Sequence, residues 1–332
     1  MTPFAYERAT DVAAAARRVR TNDRAAFLGA GTNLVDHMKL GIATPELLVD
    51  VSNLPLDRIE KLPGGGVRIG ATVRNSDLAA DPVIRDHYPV LSQALVACAS
   101  GQLRNLATTA GNLLQRTRCV YFQDMTTPCN KRTPGAGCSA LEGYNREHAI
   151  LGASNQCVAV HPSDMAVAMT ALDAVVVVQS ENGERKLPIG DFYRLPGDAP
   201  DRDTVLEHGD LIVAVELPEV SFARRSAYRK VRDRASYAFA LVSVAATLDI
   251  GEGGAVRAAR IALGGVAHRP WRALRAEAAL RGTRTGVESF RRAADAELAD
   301  ACPLRDNAFK IPMARNALVS LLRDLAEGRD HD

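Results

Sequence analysis

The chain has 332 residues, of which 47% are hydrophobic and 24% charged, and its formal net charge is +2. This length allows two domains, and the near-neutral charge gives no reason to expect nucleic acid or a membrane surface as a partner. The longest apolar runs are too short to span a bilayer. The N-terminal stretch has no apolar core of signal-peptide length, so we expect synthesis in the cytoplasm.

Strands dominate the first quarter of the chain after an opening helix. "TDVAAAARRVR" predicts a helix capped by Thr10 or Asp11. "AAFLGAGTNL" predicts a short strand that runs into a glycine turn, and "ELLVDVS" predicts a buried strand. "RIEKLPGGGVRIGATV" has the pattern of a hairpin that turns at residues 64–66.

Helical spacing extends from Asp81 to Ser100, with Cys98 on the packed side beside Leu95. "HPSDMAVAMTALDAVVVVQS" predicts a helix opened by Pro162 and Ser163, followed by a strand over 174–178. "GDLIVAVELP" predicts a further strand. Beyond about residue 222, long strands are followed by a block of helices, which indicates a separate α+β domain.

Three turns carry the chemistry of a phosphate or cofactor site. Small residues over 29–32 follow an apolar strand, where backbone N–H groups can form a nest for a phosphate. "TTAGN" at 108–112 repeats that chemistry, and "HPSD" places Ser163 and Asp164 at a helix start. No G-x-G-x-x-G fingerprint occurs in the required context, which disfavours a Rossmann domain. We expect the three turns to converge on one large ligand.

Five motifs, in order, carry a resemblance to a known family. "FLGAGTNL", "TTAGNLLQ", "HPSDMAVAMTALDA", "AYRKVRDR" and "IALGGVAHRP" resemble the flavin-binding subunits of the xanthine dehydrogenase and carbon monoxide dehydrogenase family of molybdenum hydroxylases. The resemblance implies an FAD-binding domain of the vanillyl-alcohol-oxidase (PCMH) type over 1–222, with subdomains at about 1–55 and 56–222. A cysteine-rich insertion at 115–158 and a C-terminal α+β domain of the CO dehydrogenase flavoprotein type at 223–328 complete the predicted fold, which is α+β in class.

The same resemblance implies which residues bind FAD. The first turn would wrap the pyrophosphate, and the second turn would add contacts. Asp164 would bond a polar group toward the adenosine half, Ile212 would lie near the ring, and Lys230 would bond an oxygen of the flavin. Residues of the two turns are Ala26, Phe27, Leu28, Gly29, Ala30, Gly31, Thr32, Asn33 and Leu34, then Thr108, Gly111 and Asn112.

Other interpretations of these residues stay open. Ala30 and Ala110 stand where the family usually has glycine, and alanine disfavours positive φ. Lys230 lies in an arginine-rich run, which is usually a solvated face or a subunit contact. Asp164 by itself is compatible with a helix cap, worth about 1 kcal/mol.

Four cysteines follow the spacing C-x9-C-x8-C-x18-C over residues 119–157. Structural zinc sites usually contain closer pairs, and disulfides are disfavoured in the cytoplasm. The spacing leaves an iron-sulfur cluster, zinc or unligated thiols as alternatives. The resemblance, here closest to the FAD subunits of bacterial periplasmic aldehyde oxidoreductases, implies one 4Fe-4S cluster on Cys119, Cys129, Cys138 and Cys157. Both ends of this segment lie seven residues from a proposed FAD-binding residue, so we expect the cluster near the flavin.

Two cysteines are left over. Cys98 is interpreted as a small core residue, and Cys302, before Pro303, is expected to have no chemistry.

The sequence thus predicts an FAD and 4Fe-4S electron-transfer subunit of a heterotrimeric molybdenum aldehyde oxidoreductase. The implied partners are a large subunit with the molybdenum cofactor, a small 2Fe-2S subunit and an external electron acceptor. A partner with a twin-arginine signal would carry the complex to the periplasm. No residue of this chain is assigned a catalytic role. Two alternatives remain, namely a self-contained flavin oxidase and a zinc-stabilised binding module. The oxidase would need a base over the flavin, for which His37, His148 and His161 are candidates by residue type only, and each is more readily interpreted as structural.

Overall fold

The computed structural model describes residues 1–329, and the strands of these residues form three sheets. The first unit contains β1 (Ala5–Arg8), α1 (Val12–Arg20), β2 (Ala25–Leu28), α2 (Leu34–Leu40) and β3 (Leu47–Asp50). Its strands are parallel in the order β1-β3-β2, since helices connect them. Asp11 caps α1 by accepting a hydrogen bond from the Ala14 N–H at 2.7 Å. The predicted opening helix and both predicted strands are confirmed.

The second sheet has five antiparallel strands in the order β4-β5-β8-β6-β7, namely β4 (Ile59–Lys61), β5 (Val67–Gly70), β6 (Val175–Ser180), β7 (Gly183–Pro188) and β8 (Leu211–Leu217). The predicted hairpin of β4 and β5 is confirmed. Gly66 in its turn has φ 81°, and a Cβ there would lie 2.3 Å from the Leu217 carbonyl O. The close approach of the neighbouring strand therefore requires glycine at this position.

Helices fill the space beside this sheet, namely α3 (Asn75–Ala80), α4 (Pro82–His87), α5 (Pro89–Ala97), α6 (Gly101–Leu106), α7 (Thr109–Leu113), α8 (Val120–Gln123), α9 (Asp164–Ala171) and α10 (Ile189–Phe192). The helical stretch expected over 81–100 is two helices, because Pro89 disfavours the helical conformation at Tyr88, where the chain breaks. All eight residues of α9 are buried, so this helix forms the centre of the core.

The C-terminal domain contains an antiparallel sheet in the order β12-β11-β10-β9, covered by helices. Its elements are β9 (Ser226–Val231), β10 (Val242–Ile250), β11 (Val256–Gly264), β12 (Trp271–Arg272), α11 (Leu274–Leu280), α12 (Val287–Leu298) and α13 (Lys310–Glu327). A separate apolar core joins this sheet to its helices, as the strands-then-helices pattern predicts. Within residues 1–329, no helix is both long and apolar enough to cross a membrane.

The cysteine-rich segment has little regular structure and is held by contacts with the C-terminal domain. The Lys310 Nζ donates to the carbonyl oxygens of Glu147 and His148 at 3.2 and 2.9 Å. The Asn307 side-chain amide donates to the carbonyl oxygens of His148 and Ala149 at 3.1 and 3.2 Å. These bonds satisfy loop carbonyls that would otherwise be buried without a donor. Residues at and just before the start of α13 therefore hold residues 147–149 of the cysteine segment.

Candidate functional site

The first glycine turn lies between β2 and α2, as the sequence predicts. Gly31 has φ 76°, and a Cβ there would lie 2.9 Å from Val35 Cγ2, so the turn needs a residue without a side chain. Gly31, Thr32 and Asn33 line a large cleft. Residues 26–30 and Leu34 are not among the described residues that line the cleft. Most of these six residues belong to β2 or the start of α2.

The second turn lies directly beside the first. Thr108 caps α7 with its Oγ1, which accepts a hydrogen bond from the Gly111 N–H at 3.2 Å. A Cβ on Gly29 would lie 3.3 Å from the same Oγ1, so the two turns are in contact. Gly111 and Asn112 line the cleft, whereas Thr108 lies behind it.

The helix start at "HPSD" joins the second turn. The Ser163 hydroxyl donates to Asn112 Oδ1 at 2.6 Å, and Ser163 caps α9 by accepting from the Ala166 N–H. Both Ser163 and Asp164 line the cleft. The three turns therefore converge on one cavity, as the sequence predicts.

The cleft has a volume of about 760 Å³, within the range of cofactor sites. Its other walls come from Cys98 and Ala99, from His148, and from the loop between β9 and β10. Asn33 lines the cleft, and its side-chain Nδ2 is buried without a hydrogen-bond partner among the described residues. A buried donor of this kind is normally paired, so a polar ligand in the cleft would satisfy it. The cavity has room for a cofactor and one buried donor that a polar group of that cofactor would satisfy.

Asp164 and Lys230 form a buried ion pair at 2.7 Å, with side chains 4% and 3% exposed. The Tyr228 hydroxyl donates to the other carboxylate oxygen, and burial together with that carboxylate raises the pKa of Tyr228 well above its usual value. The interpretation of Lys230 as part of a solvated charge run is wrong, because its side chain points into the interior. The capping interpretation of Asp164 is also wrong, because Ser163 is the cap.

Lys230 and Ile212 stand apart from the cleft in the described structure. The Lys230 Nζ donates to Asp164 and to the Ala97 carbonyl O, while Ile212 is buried in β8 and belongs to the main apolar core. Neither residue is among the described residues that line the cleft. The contacts with flavin that the family resemblance implies for these two residues therefore stay predictions.

The four cysteines of the segment line one small pocket, although up to 38 positions of the sequence separate them. Cys129 and Cys138 are paired across a short antiparallel bridge. Burial raises the pKa of Cys119 to about 12, and the backbone N–H groups of Tyr121 and Phe122 oppose that rise. Burial likewise raises the pKa of Cys157 to about 11. In residues 1–329, no group of three or more His, Cys, Asp or Glu side chains has the arrangement of a metal site.

The cysteine pocket adjoins the cleft. Thr117 and Cys119 line both cavities, so the thiols lie beside the three turns, as expected from the sequence spacing. Cys98 also lines the cleft, and burial raises the pKa of its thiol to about 12. Cys302 is exposed.

The three candidate histidines are buried, and burial is the main cause that lowers the pKa of each to about 4. They are therefore neutral at pH 7. His148 and His161 line the cleft, whereas His37 packs edge-on against Phe122 with ring centroids 5.6 Å apart. His148 Nε2 lies 3.1 Å from Cys119 Sγ, a contact that no spacing in the sequence indicates.

Comparisons with known proteins identify the family of the chain. Residues 2–220 match the FAD binding domain in molybdopterin dehydrogenase, and residues 226–325 match the CO dehydrogenase flavoprotein C-terminal domain. The chain belongs to this family of FAD-binding flavoproteins. The flavoprotein is 53% identical over 325 residues to the aldehyde oxidoreductase FAD-binding subunit PaoB of Escherichia coli (strain K12), and the match covers 98% of each chain.

Two further relatives are more distant. The flavoprotein is 26% identical to the glyceraldehyde dehydrogenase medium chain of Sulfolobus acidocaldarius, over 82% of this chain and 79% of that one. The solved structure of carbon monoxide dehydrogenase from Hydrogenophaga pseudoflava has a chain that superposes with a TM-score of 0.76 at 27% identity, over 99% of both chains. The family, the mixed fold and the oxidoreductase class predicted from the sequence are confirmed.

Proposed function

We propose that this flavoprotein is the FAD and 4Fe-4S electron-transfer subunit of a heterotrimeric molybdenum aldehyde oxidoreductase. The observation that carries the proposal is the convergence of four cysteines on one pocket that shares Thr117 and Cys119 with the cleft. The 53% identity to an aldehyde oxidoreductase subunit supports aldehydes as the substrate class of the complex. Aldehyde oxidation itself would take place on the large subunit.

The donor set of the pocket fits an iron-sulfur cluster better than a structural zinc ion. Four thiols from widely spaced positions can wrap a four-iron cluster, whereas zinc sites usually use close cysteine pairs. Backbone N–H groups near the sulfurs of Cys119 and Cys157 lower the pKa of each thiol against the effect of burial. Donors of this kind stabilise the thiolate form that a cluster needs.

The cleft residues fit FAD. Gly31 and Gly111 leave room for close approach of a pyrophosphate, and Asn33 offers an unpaired amide donor. Asp164 lies at the cleft wall, and its bonds with Lys230 and Tyr228 fix the position of its carboxylate. When bound, FAD and the cluster supply the redox chemistry, and the chain supplies position and electrostatics.

The partners follow from the same proposal. A large subunit with the molybdenum cofactor and a small 2Fe-2S subunit would deliver electrons, and an external acceptor would remove them. A partner with a twin-arginine signal would carry the folded complex to the periplasm. Fractionation of cells that express all three subunits tests the compartment, and recovery of the complex only from the cytoplasm would contradict it.

An anaerobic visible spectrum with iron and sulfide assays of the purified protein tests the cofactors. We expect about four iron atoms and one FAD per chain, the stoichiometry of the proposed sites. Cys129→Ser should lose most of the iron and keep FAD, because Cys129 lines the pocket and not the cleft. Cys302→Ser, at an exposed cysteine, is the matched control and should keep both cofactors. Full iron retention in Cys129→Ser, or zinc without iron in the unmutated protein, would overturn the cluster.

A further inference from the structure

Lys131 is the one charged residue among the described residues that line the cysteine pocket. It follows Cys129 by two positions, and its side chain is 1% exposed. The Nζ donates to the Pro200 carbonyl O at 2.7 Å and to the Asp203 carboxylate. Lys131 and the four cysteines line the same pocket, so this cation lies near the sulfur atoms.

Asp203 is shared between two cations. The Arg116 Nε donates to Asp203 Oδ2 at 2.9 Å, while Lys131 contacts Oδ1. Burial alone would raise the pKa of Asp203, but Lys131 and Arg116 outweigh that effect and lower it to about 2. His268, with Nε2 at 3.7 Å from the same carboxylate, has a pKa lowered to about 4 by burial and is neutral at pH 7. We call these three residues the Lys131 trio: Lys131, Arg116 and Asp203. With two cations and one anion, the trio carries one surplus positive charge.

The Arg116 and Asp203 side chains are 31% and 24% exposed, whereas Lys131 is buried and lines the pocket. A buried charge of this kind is favoured when an opposite charge lies nearby. The pocket beside Lys131 holds four thiols, which become anionic when they bind a metal cluster. A four-iron cluster with four thiolates has a net negative charge, so it would balance the trio. We propose that Lys131, supported by Arg116 and Asp203, is the counter-charge of this cluster and raises its reduction potential, an inference that rests on the proposed function.

The direction of the effect follows from electrostatics. Reduction adds one negative charge to the cluster, and a nearby buried cation stabilises the reduced form more than the oxidised form. At an effective dielectric of about 20, two unit charges about 10 Å apart interact by more than the equivalent of a tenfold change in an equilibrium. We therefore expect removal of the Lys131 charge to shift the reduction equilibrium by about tenfold, which corresponds to about 59 mV for one electron.

A redox titration of the assembled complex, followed by electron paramagnetic resonance, measures the effect. Signals that Cys129→Ser removes are assigned to the four-iron cluster. Lys131→Met should make its potential more negative, Asp203→Asn should make it more positive, and the double variant should return close to the original value. Lys131→Arg should restore the potential because it keeps the charge. Lys61→Met, at an exposed position of β4, removes one lysine charge from the surface and should leave the potential unchanged.

Opposite signs for the two single variants support the counter-charge, because a merely structural role would not reverse its sign with the charge removed. An unchanged potential in Lys131→Met with full iron content would overturn the inference and leave the proposed function intact. If Lys131→Met does not hold iron, the Asp203→Asn variant provides the test instead. A more negative cluster potential in Asp203→Asn than in the unmutated complex would overturn the inference. Absence of iron from the unmutated complex would overturn both this inference and the proposed function.

Discussion

Replacement of Lys230 by methionine tests how the two domains are joined behind the cleft. The Lys230 Nζ lies 2.7 Å from the Asp164 carboxylate, and both side chains are almost fully buried. Removal of one partner of a buried ion pair costs about 3–5 kcal/mol, because the other charge loses its compensation. The Tyr228 hydroxyl still donates to Asp164, and proton uptake by the carboxylate would relieve part of the cost. We expect a loss of about 3 kcal/mol, or roughly a hundredfold in the folding equilibrium.

Urea unfolding of the FAD-free protein at pH 7, followed by circular dichroism, measures this loss. Asp164→Asn and the double variant complete a mutant cycle, and the double variant should be more stable than the sum of the single losses predicts, by about 2 kcal/mol. Lys61→Met is the matched control, since Lys61 is exposed, and it should change the free energy of unfolding by less than about 0.5 kcal/mol.

A loss below about 1 kcal/mol in Lys230→Met would refute the reasoning, because that is the value of a surface ion pair. The same variant separates the structural role from the flavin contact that the family resemblance implies. A protein that keeps its free energy of unfolding but loses FAD affinity would show that Lys230 acts mainly on the cofactor. Loss of stability in the FAD-free protein is the outcome that the buried pair predicts.

Two further predictions concern the fold around the site. Gly66→Ala should cost more than about 1 kcal/mol of stability beyond Gly41→Ala: both positions have φ near 80°, but only at Gly66 does a Cβ meet a backbone oxygen, the Leu217 carbonyl. Equal melting temperatures for the two variants would contradict this. Burial lowers the pKa of Lys310 to about 7, so between pH 7 and pH 10 the unfolded chain binds more protons at this residue and stability rises with pH. In Lys310→Met, the urea midpoint should rise less between pH 7 and pH 10 than in the unmutated protein. A difference in stability between the two proteins that does not change with pH would show the reasoning to be wrong.

Local signals were enough for much of the fold. The Asp11 cap, the glycine hairpin and the strands before each turn follow from residue types within a few positions of each other. The prediction of one long helix over 81–100 was wrong, because the chain breaks before Pro89. Proline is itself a local signal for such a break. Five ordered motifs also predicted the family, since each turn needs small or hydroxylated residues wherever a cofactor approaches the backbone.

By itself, the sequence determined the family and the three turns, because these depend on residue types that the chain presents in short motifs. The spacing of the four cysteines left their ligand open, and the structure brought them to one pocket. Only the tertiary structure decided which charges meet. Lys230 pairs with Asp164 across 66 positions, and Lys131 pairs with Asp203 across 72. Their partners come from other segments of the chain, and in the sequence a buried lysine has the same appearance as an exposed one. Packing removes water from a lysine that pairs with a buried carboxylate. Loss of either partner then leaves an uncompensated buried charge, which is strongly destabilising.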